Sequence, residues 1–233
     1  MAVGVSGWLA SGCTDEATGR TRIAFDVVIA GNGDGAAESL PTAGTRPIRL
    51  DAARLQLGPL TFFEGEALLA SRSIVDDLLS FSSARAHPGH YTPGEALADT
   101  AAVGVVDLLA SAPHVIAAGG LSGAYGSMAL PLVGGETLAL EGVVLDDGPG
   151  LPFGVVVDLA HDVEGIACDV AEISGQRLRL DVQVTELVRR VDTDQLPASS
   201  ETPIDLGAAP QARHALERAL EAQTTYLLTP EEA

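Results

Sequence analysis

The chain has 233 residues, with 32 acidic side chains against 13 basic ones and a formal charge of −19. Every basic residue is an arginine, so Schiff-base lysine chemistry and the lysine of a phosphate-binding loop are both excluded. A chain this acidic is repelled by nucleic acid and by anionic lipid headgroups, and its length suits one β-rich domain with a sizeable core or two small ones.

At the N-terminus, small residues run through Ala10, Ser11 and Gly12 up to Cys13, and the polar Thr14, Asp15 and Glu16 follow at once. The pattern resembles the lipobox of bacterial lipoproteins, in which the cysteine is lipidated and becomes the mature N-terminus. Residues 1–21 are accordingly expected to be a signal-like segment and tether, and residues 22–233 a single β-sandwich domain. A disulfide between Cys13 and Cys168, the only cysteines, is the competing reading and also implies an oxidising compartment. Two free thiols in the cytosol are the third. No other segment approaches the ~20 apolar residues of a membrane span, so membrane contact is expected only through an N-terminal lipid anchor.

Ile23, Phe25, Val27 and Ile29 alternate with smaller or polar residues and predict a half-buried strand. Gly31-x-Gly33-x-x-Ala36 then imitates a dinucleotide fingerprint, with Asp51 downstream. Pro41 leaves no room for the crossover helix that fold needs, so a loop between strands is expected. Ile48, Leu50 and Ala52 give way to Ala53, Leu55 and Leu57 in the opposite phase, which predicts a β-bulge at Ala52-Ala53. Gly58-Pro59 reads as a turn before a short strand over 60–63, and residues 74–81 as a helical turn. Residues 103–109 predict a strand, and the phase of 121–133 is ambiguous. Leu138, Leu140 and Val144 share a face, and Asp146 to Gly150 makes a solvated turn. A strand over 155–157 runs to His161, flanked by Asp158 and Asp162. Leu178, Leu180, Val182 and Val184 alternate with polar residues, and Pro210 opens a helix carrying Ala212, Ala215, Leu216, Ala219 and Leu220 at helical spacing. His214 falls on its polar face.

Chemistry is concentrated in Ala86-His87-Pro88-Gly89-His90-Tyr91-Thr92-Pro93-Gly94-Glu95. Imidazole is the commonest side-chain ligand of transition metals, and Pro-Gly between two histidines favours a turn that presents both rings to one side. Glu95 is the candidate oxygen donor, or the acceptor that fixes a tautomer, and His161 a further candidate nitrogen, with Asp158 or Asp162 orienting its ring; an exposed histidine at a strand end is the favoured reading of His161. Two imidazoles and a carboxylate suit copper, zinc or iron rather than calcium. The competing reading is a surface loop that happens to hold two histidines. Gly126-Ser127 lacks the frame of a nucleophile elbow, and neither a triad nor paired catalytic carboxylates appear, so catalysis is not expected.

Short strands separated by turn signals, with helix confined to the end, predict an all-β fold: an antiparallel β-sandwich, jelly-roll or immunoglobulin-like, with one short C-terminal helix. Arg189-Arg190-Val191-Asp192-Thr193-Asp194-Gln195-Leu196-Pro197, the helix after Pro210 and Tyr226 are similar to the C-terminal end of MbnP-like proteins, and the apolar stretch 55–63 and the lipobox-like start fit the same picture. The resemblance implies a β-sandwich and an extracytoplasmic, copper-handling role in the periplasm or on the outer membrane. That family can use a modified tryptophan as a ligand; the only tryptophan here, Trp8, lies in the signal-like segment. The expectation is a lipid-anchored envelope protein binding copper or zinc through His87 and His90, with Glu95 and His161, and meeting other envelope proteins. The alternative is a metal-free surface module that binds a protein or glycan through its loops.

Overall fold

The computed structural model describes residues 19–32, 39–65, 93–146, 148, 150–170, 173, 176–197 and 202–232. Eleven strands appear in chain order: β1 (Arg22–Gly31), β2 (Ile48–Phe63), β3 (Ala96–Asp107), β4 (His114–Leu121), β5 (Tyr125–Leu132), β6 (Leu138–Val144), β7 (Leu151–Val157), β8 (His161–Val170), β9 (Gln176–Val182), β10 (Ile204–Asp205) and β11 (Tyr226–Glu232). Among the described residues two α-helices accompany them, α1 (Val184–Val188) and α2 (Pro210–Glu221).

The long strand β2 organises the rest because one of its edges serves two partners. Ile48 to Leu55 pair with β6, and Leu57 to Phe63 pair with β5. The first branch continues through β7 to β10, and the second continues to β8. On its other edge β2 pairs with β3, and the sheet proceeds through β4, β1 and β9 to β11. Phe25 on β1 and Phe62 on β2 stand three strands apart in that order, yet their ring centroids are 5.8 Å apart. The sheet therefore folds over on itself, and the two layers of a β-sandwich share one core. Tyr125 on β5 completes an edge-to-face trio, 6.0 Å from Phe25 and 6.2 Å from Phe62, a geometry aromatic quadrupoles favour.

The all-β class and the single longer helix are as the sequence predicts. The pairing is mixed rather than purely antiparallel: β1 with β9 and β7 with β10 run parallel. The bulge in β2 is displaced by one residue from the expected position. Leu50 faces Gly142 and Ala52 faces Glu141, so Asp51 is the extra residue and the burial phase flips there.

Gly58-Pro59 does not turn the chain; it lies inside β2. A proline is tolerated within a strand where ladder hydrogen bonding is already interrupted, and here the register slips against both neighbours. Pro59 pairs with Ala102 but Thr61 with Asp99, and against β5 the slip falls between Leu57 and Thr61. The buried Leu60 N–H donates to the Thr100 hydroxyl at 2.9 Å, and that hydroxyl donates to the Ala101 carbonyl at 2.8 Å. The irregularity sits where β2 exchanges β6 for β5. The ambiguous 121–133 stretch resolves into the end of β4, a turn and β5, because Ser122 binds back to Thr21 through both backbone and side chain.

β9 behaves as its alternation predicts as far as Val182, with Leu178, Leu180 and Val182 buried, but Val184 opens α1 instead of continuing the strand. Pro210 occupies the first turn of α2, where its missing N–H costs nothing. Ala212, Ala215, Leu216, Ala219 and Leu220 are all buried, and each fully buried leucine contributes about 1.5–3 kcal/mol. No helix among the described residues is long and apolar enough to cross a membrane.

Candidate functional site

Of the candidate ligands, His87 and His90 lie outside the described residues, as does Cys13. The described chain stops at Gly65 and resumes at Pro93, and these two ends are tied together. The Gly65 N–H donates to the Pro93 carbonyl at 2.9 Å and the Glu64 N–H to the Glu95 carbonyl at 3.0 Å. The Ser127 hydroxyl donates to the Gly65 carbonyl at 2.6 Å. Gly94 has φ of +73°, and a Cβ there would stand 2.9 Å from the Gly65 nitrogen, so glycine is required by conformation and by space. The described residues on either side of 66–92 thus form one closed base.

Arg20 clamps that base. Its guanidinium lies 2.9 Å from Glu64 Oε1 and 3.5 Å from Glu95 Oε2. The arginine is the more buried partner and both carboxylates are about half exposed. Exposed pairs of this kind are worth ~0.2–1 kcal/mol each, so the backbone hydrogen bonds hold the base and Arg20 sets the direction of its two acids.

His161 is in a different place. It does not end the strand that precedes it; β7 stops at Val157, and His161 opens β8 opposite Leu132. Asp158 does not orient the imidazole, since its Oδ1 accepts from the Gly135 N–H at 2.7 Å and closes the preceding turn. Asp162 pairs with Pro131 and is exposed. Ala96 is level with Phe63, and Phe63 with Ser127, five positions along β5 from Leu132. At ~3.3 Å per residue, Glu95 and His161 are separated by roughly 17 Å along the strands alone. One ion cannot take both. Among the described residues no three His, Cys, Asp or Glu side chains are gathered to hold a metal.

No family model and no curated protein matches the chain. A solved structure does. The chain is similar to MbnP from Methylosinus trichosporium, with 11% identity and a TM-score of 0.47 over 91% of this chain and 99% of that one. The likeness is a distant one.

The stretch from Arg189 to Pro197 proves to be a clasp. Arg46 donates to the carbonyls of Thr193, Leu196 (2.8 Å) and Pro197 (3.1 Å). The Thr193 hydroxyl donates back to the Arg46 carbonyl at 2.6 Å. Asp194 accepts from both the N–H and the hydroxyl of Thr45, at 2.9 and 2.7 Å, and these bonds hold its carboxyl below the ordinary range. Tyr226 closes the other end, its hydroxyl donating to the Leu220 carbonyl at 2.8 Å and so satisfying the last turn of α2.

Cys168 is buried on β8 near Tyr125. A bridge to Cys13 would require residue 13 to enter the core. Burial, and then the neighbouring Cys168, push the Tyr125 phenol up to about 12; its hydroxyl donates to the Leu121 carbonyl at 2.6 Å. Arg20 and Arg46 escaped sequence reasoning, and no local pattern announces either.

Proposed function

We propose that this is an extracytoplasmic metal-binding protein, lipid-anchored through Cys13, that takes copper or zinc through His87 and His90. The observation that supports the reading most is the closed base at Gly65 and Pro93. His90 stands three positions in sequence before Pro93, whose carbonyl is bonded to Gly65, so the histidine pair adjoins a fixed point of the scaffold in sequence. Glu95 is the adjacent oxygen donor, and it exchanges the loose contact with Arg20 for the ion. His161, at the other end of β5, takes no part. The envelope address rests on the sequence around Cys13 and on the MbnP-like stretches.

Calorimetric titration of copper and of zinc into the wild type and the His87→Ala/His90→Ala double variant tests the reading. The double variant is expected to lose about a hundredfold or more in affinity, as removing two of three ligands does. His161→Ala is expected to bind like wild type. Equal affinity in wild type and double variant rejects the metal site and leaves the metal-free surface module. Mass spectrometry of the N-terminus of protein from its native envelope tests the anchor on Cys13.

A further inference from the structure

Most described arginines in this lysine-free chain meet a carboxylate or a carbonyl oxygen, as Arg20, Arg46 and Arg179 do. Arg22, Arg190 and Arg218 are the described arginines whose side chains have no such partner. In a molecule with 32 acids for 13 arginines, an arginine with neither kind of oxygen partner is the exception. Two of the three exceptions line one surface hollow of about 580 Å³ together with Arg189, Glu186 and Ala43.

We propose that this hollow, between the end of α1 and the last turn of α2, is a binding site for a small oxyanion, a carboxylate or a phosphate. Arg190 and Arg218 supply the contacts. Arg189 is braced by Glu186 at 2.8 Å, so the hollow holds three guanidinium groups against one carboxylate. The helix dipole favours an arginine in the last turn of α2 and accounts for Arg218 there. It does not account for Arg190, two residues beyond the end of α1, facing the same depression. The floor is fixed as well: the Ala43 N–H donates to the Val191 carbonyl at 3.0 Å, and the 42–46 loop is held by the Arg46 clasp. Arg190 also borders a second hollow containing Glu164 and Glu221, and neither comes within ion-pair distance. A planar guanidinium matches carboxylate and phosphate oxygens bidentately. The overall charge of −19 repels large polyanions, so recognition here is by contact, and it favours a small ligand.

The test is calorimetry on the metal-free full chain at low ionic strength, with citrate and inorganic phosphate as separate probes. Wild type and Arg22→Gln, which removes an unpartnered arginine elsewhere, are expected to bind at least one probe equally. Arg190→Gln/Arg218→Gln is expected to lose about tenfold or more in affinity while its thermal melting is unchanged. The preferred probe tells carboxylate from phosphate. If neither probe binds the wild type, or if the double variant binds as wild type does, the proposal is overturned.

Discussion

Arg46 donates to the backbone carbonyl of Leu196 at 2.8 Å across a separation of 150 residues. The same guanidinium reaches the carbonyl of Thr193, which also accepts the Leu196 N–H, and that of the exposed Pro197, so one side chain ties three acceptors of this segment together. Removing it leaves the part-buried Leu196 carbonyl without that donor. Arg46→Met is expected to cost about 3 kcal/mol, read as a lowered urea midpoint at unchanged slope. Arg46→Lys should recover little, since an ammonium cannot reproduce the planar fork.

Asp194 gives the same clasp a pH dependence. Its carboxyl is held down by hydrogen bonds from the Thr45 hydroxyl and N–H. A depressed folded pKa adds stability above the unfolded value, about 3.9, and that stability is lost as pH falls through the folded pKa. Denaturation of wild type and Asp194→Asn across the acid range should show their difference shrinking below pH ~4. A constant difference down to the acid transition would separate Asp194 from the clasp.

Tyr125 governs the alkaline side. Its phenol is pushed up to about 12 by burial, so the folded state favours the protonated form. The resulting stability is complete below the unfolded value near 10 and is lost as pH rises toward 12. Tyr125→Phe is expected to cost about 1 kcal/mol at neutral pH, for the bond to Leu121. It should lose less than wild type above pH ~10. Ultraviolet difference titration of the two proteins reads the ionisation directly.

Thr100 tests the place where β2 changes partners. Its hydroxyl accepts from the buried Leu60 N–H beside Pro59. Thr100→Val keeps the shape and orphans that donor, at an expected cost of about 1–3 kcal/mol. Thr100→Ser should recover most of it. Hydrogen exchange at the Leu60 amide is the local readout: fast in the valine variant, protected in wild type.

The proposed metal binding predicts its own pH signature. Imidazoles near pKa ~6.5 must be deprotonated to ligate, so affinity through His87 and His90 should fall as pH drops below ~6.5 and approach a two-proton dependence. Calorimetry at several pH values checks this, and a flat profile would assign the metal to other donors. Glu95→Gln should weaken binding without abolishing it.

The parts of the fold that sequence reveals are those with a period. Leu178, Leu180 and Val182 repeat every second residue, Leu216 and Leu220 stand four apart, and both patterns depend only on which face is buried. Pro59 misled because Gly-Pro usually turns a chain; here the slipped registers of β3 and β5 absorb its missing N–H, and those partners are remote in sequence. His161 misled because Val155 to Val157 run toward it without an apparent break. The turn at Asp158 is made by the Gly135 N–H, another distant contact. At the candidate site, the proximity of His87, His90 and Glu95 in sequence was readable. The clamp by Arg20 and the tie between Gly65 and Pro93 were not, since they arise only once β2, β3 and β5 are aligned.

The bonds that tie Glu64 and Gly65 to Pro93 and Glu95 fix the end of the β2–β3 pair through the described residues themselves. On the proposed reading, the donor loop is strung between two chain ends whose spacing the sandwich dictates, so its point of attachment is inherited with the fold.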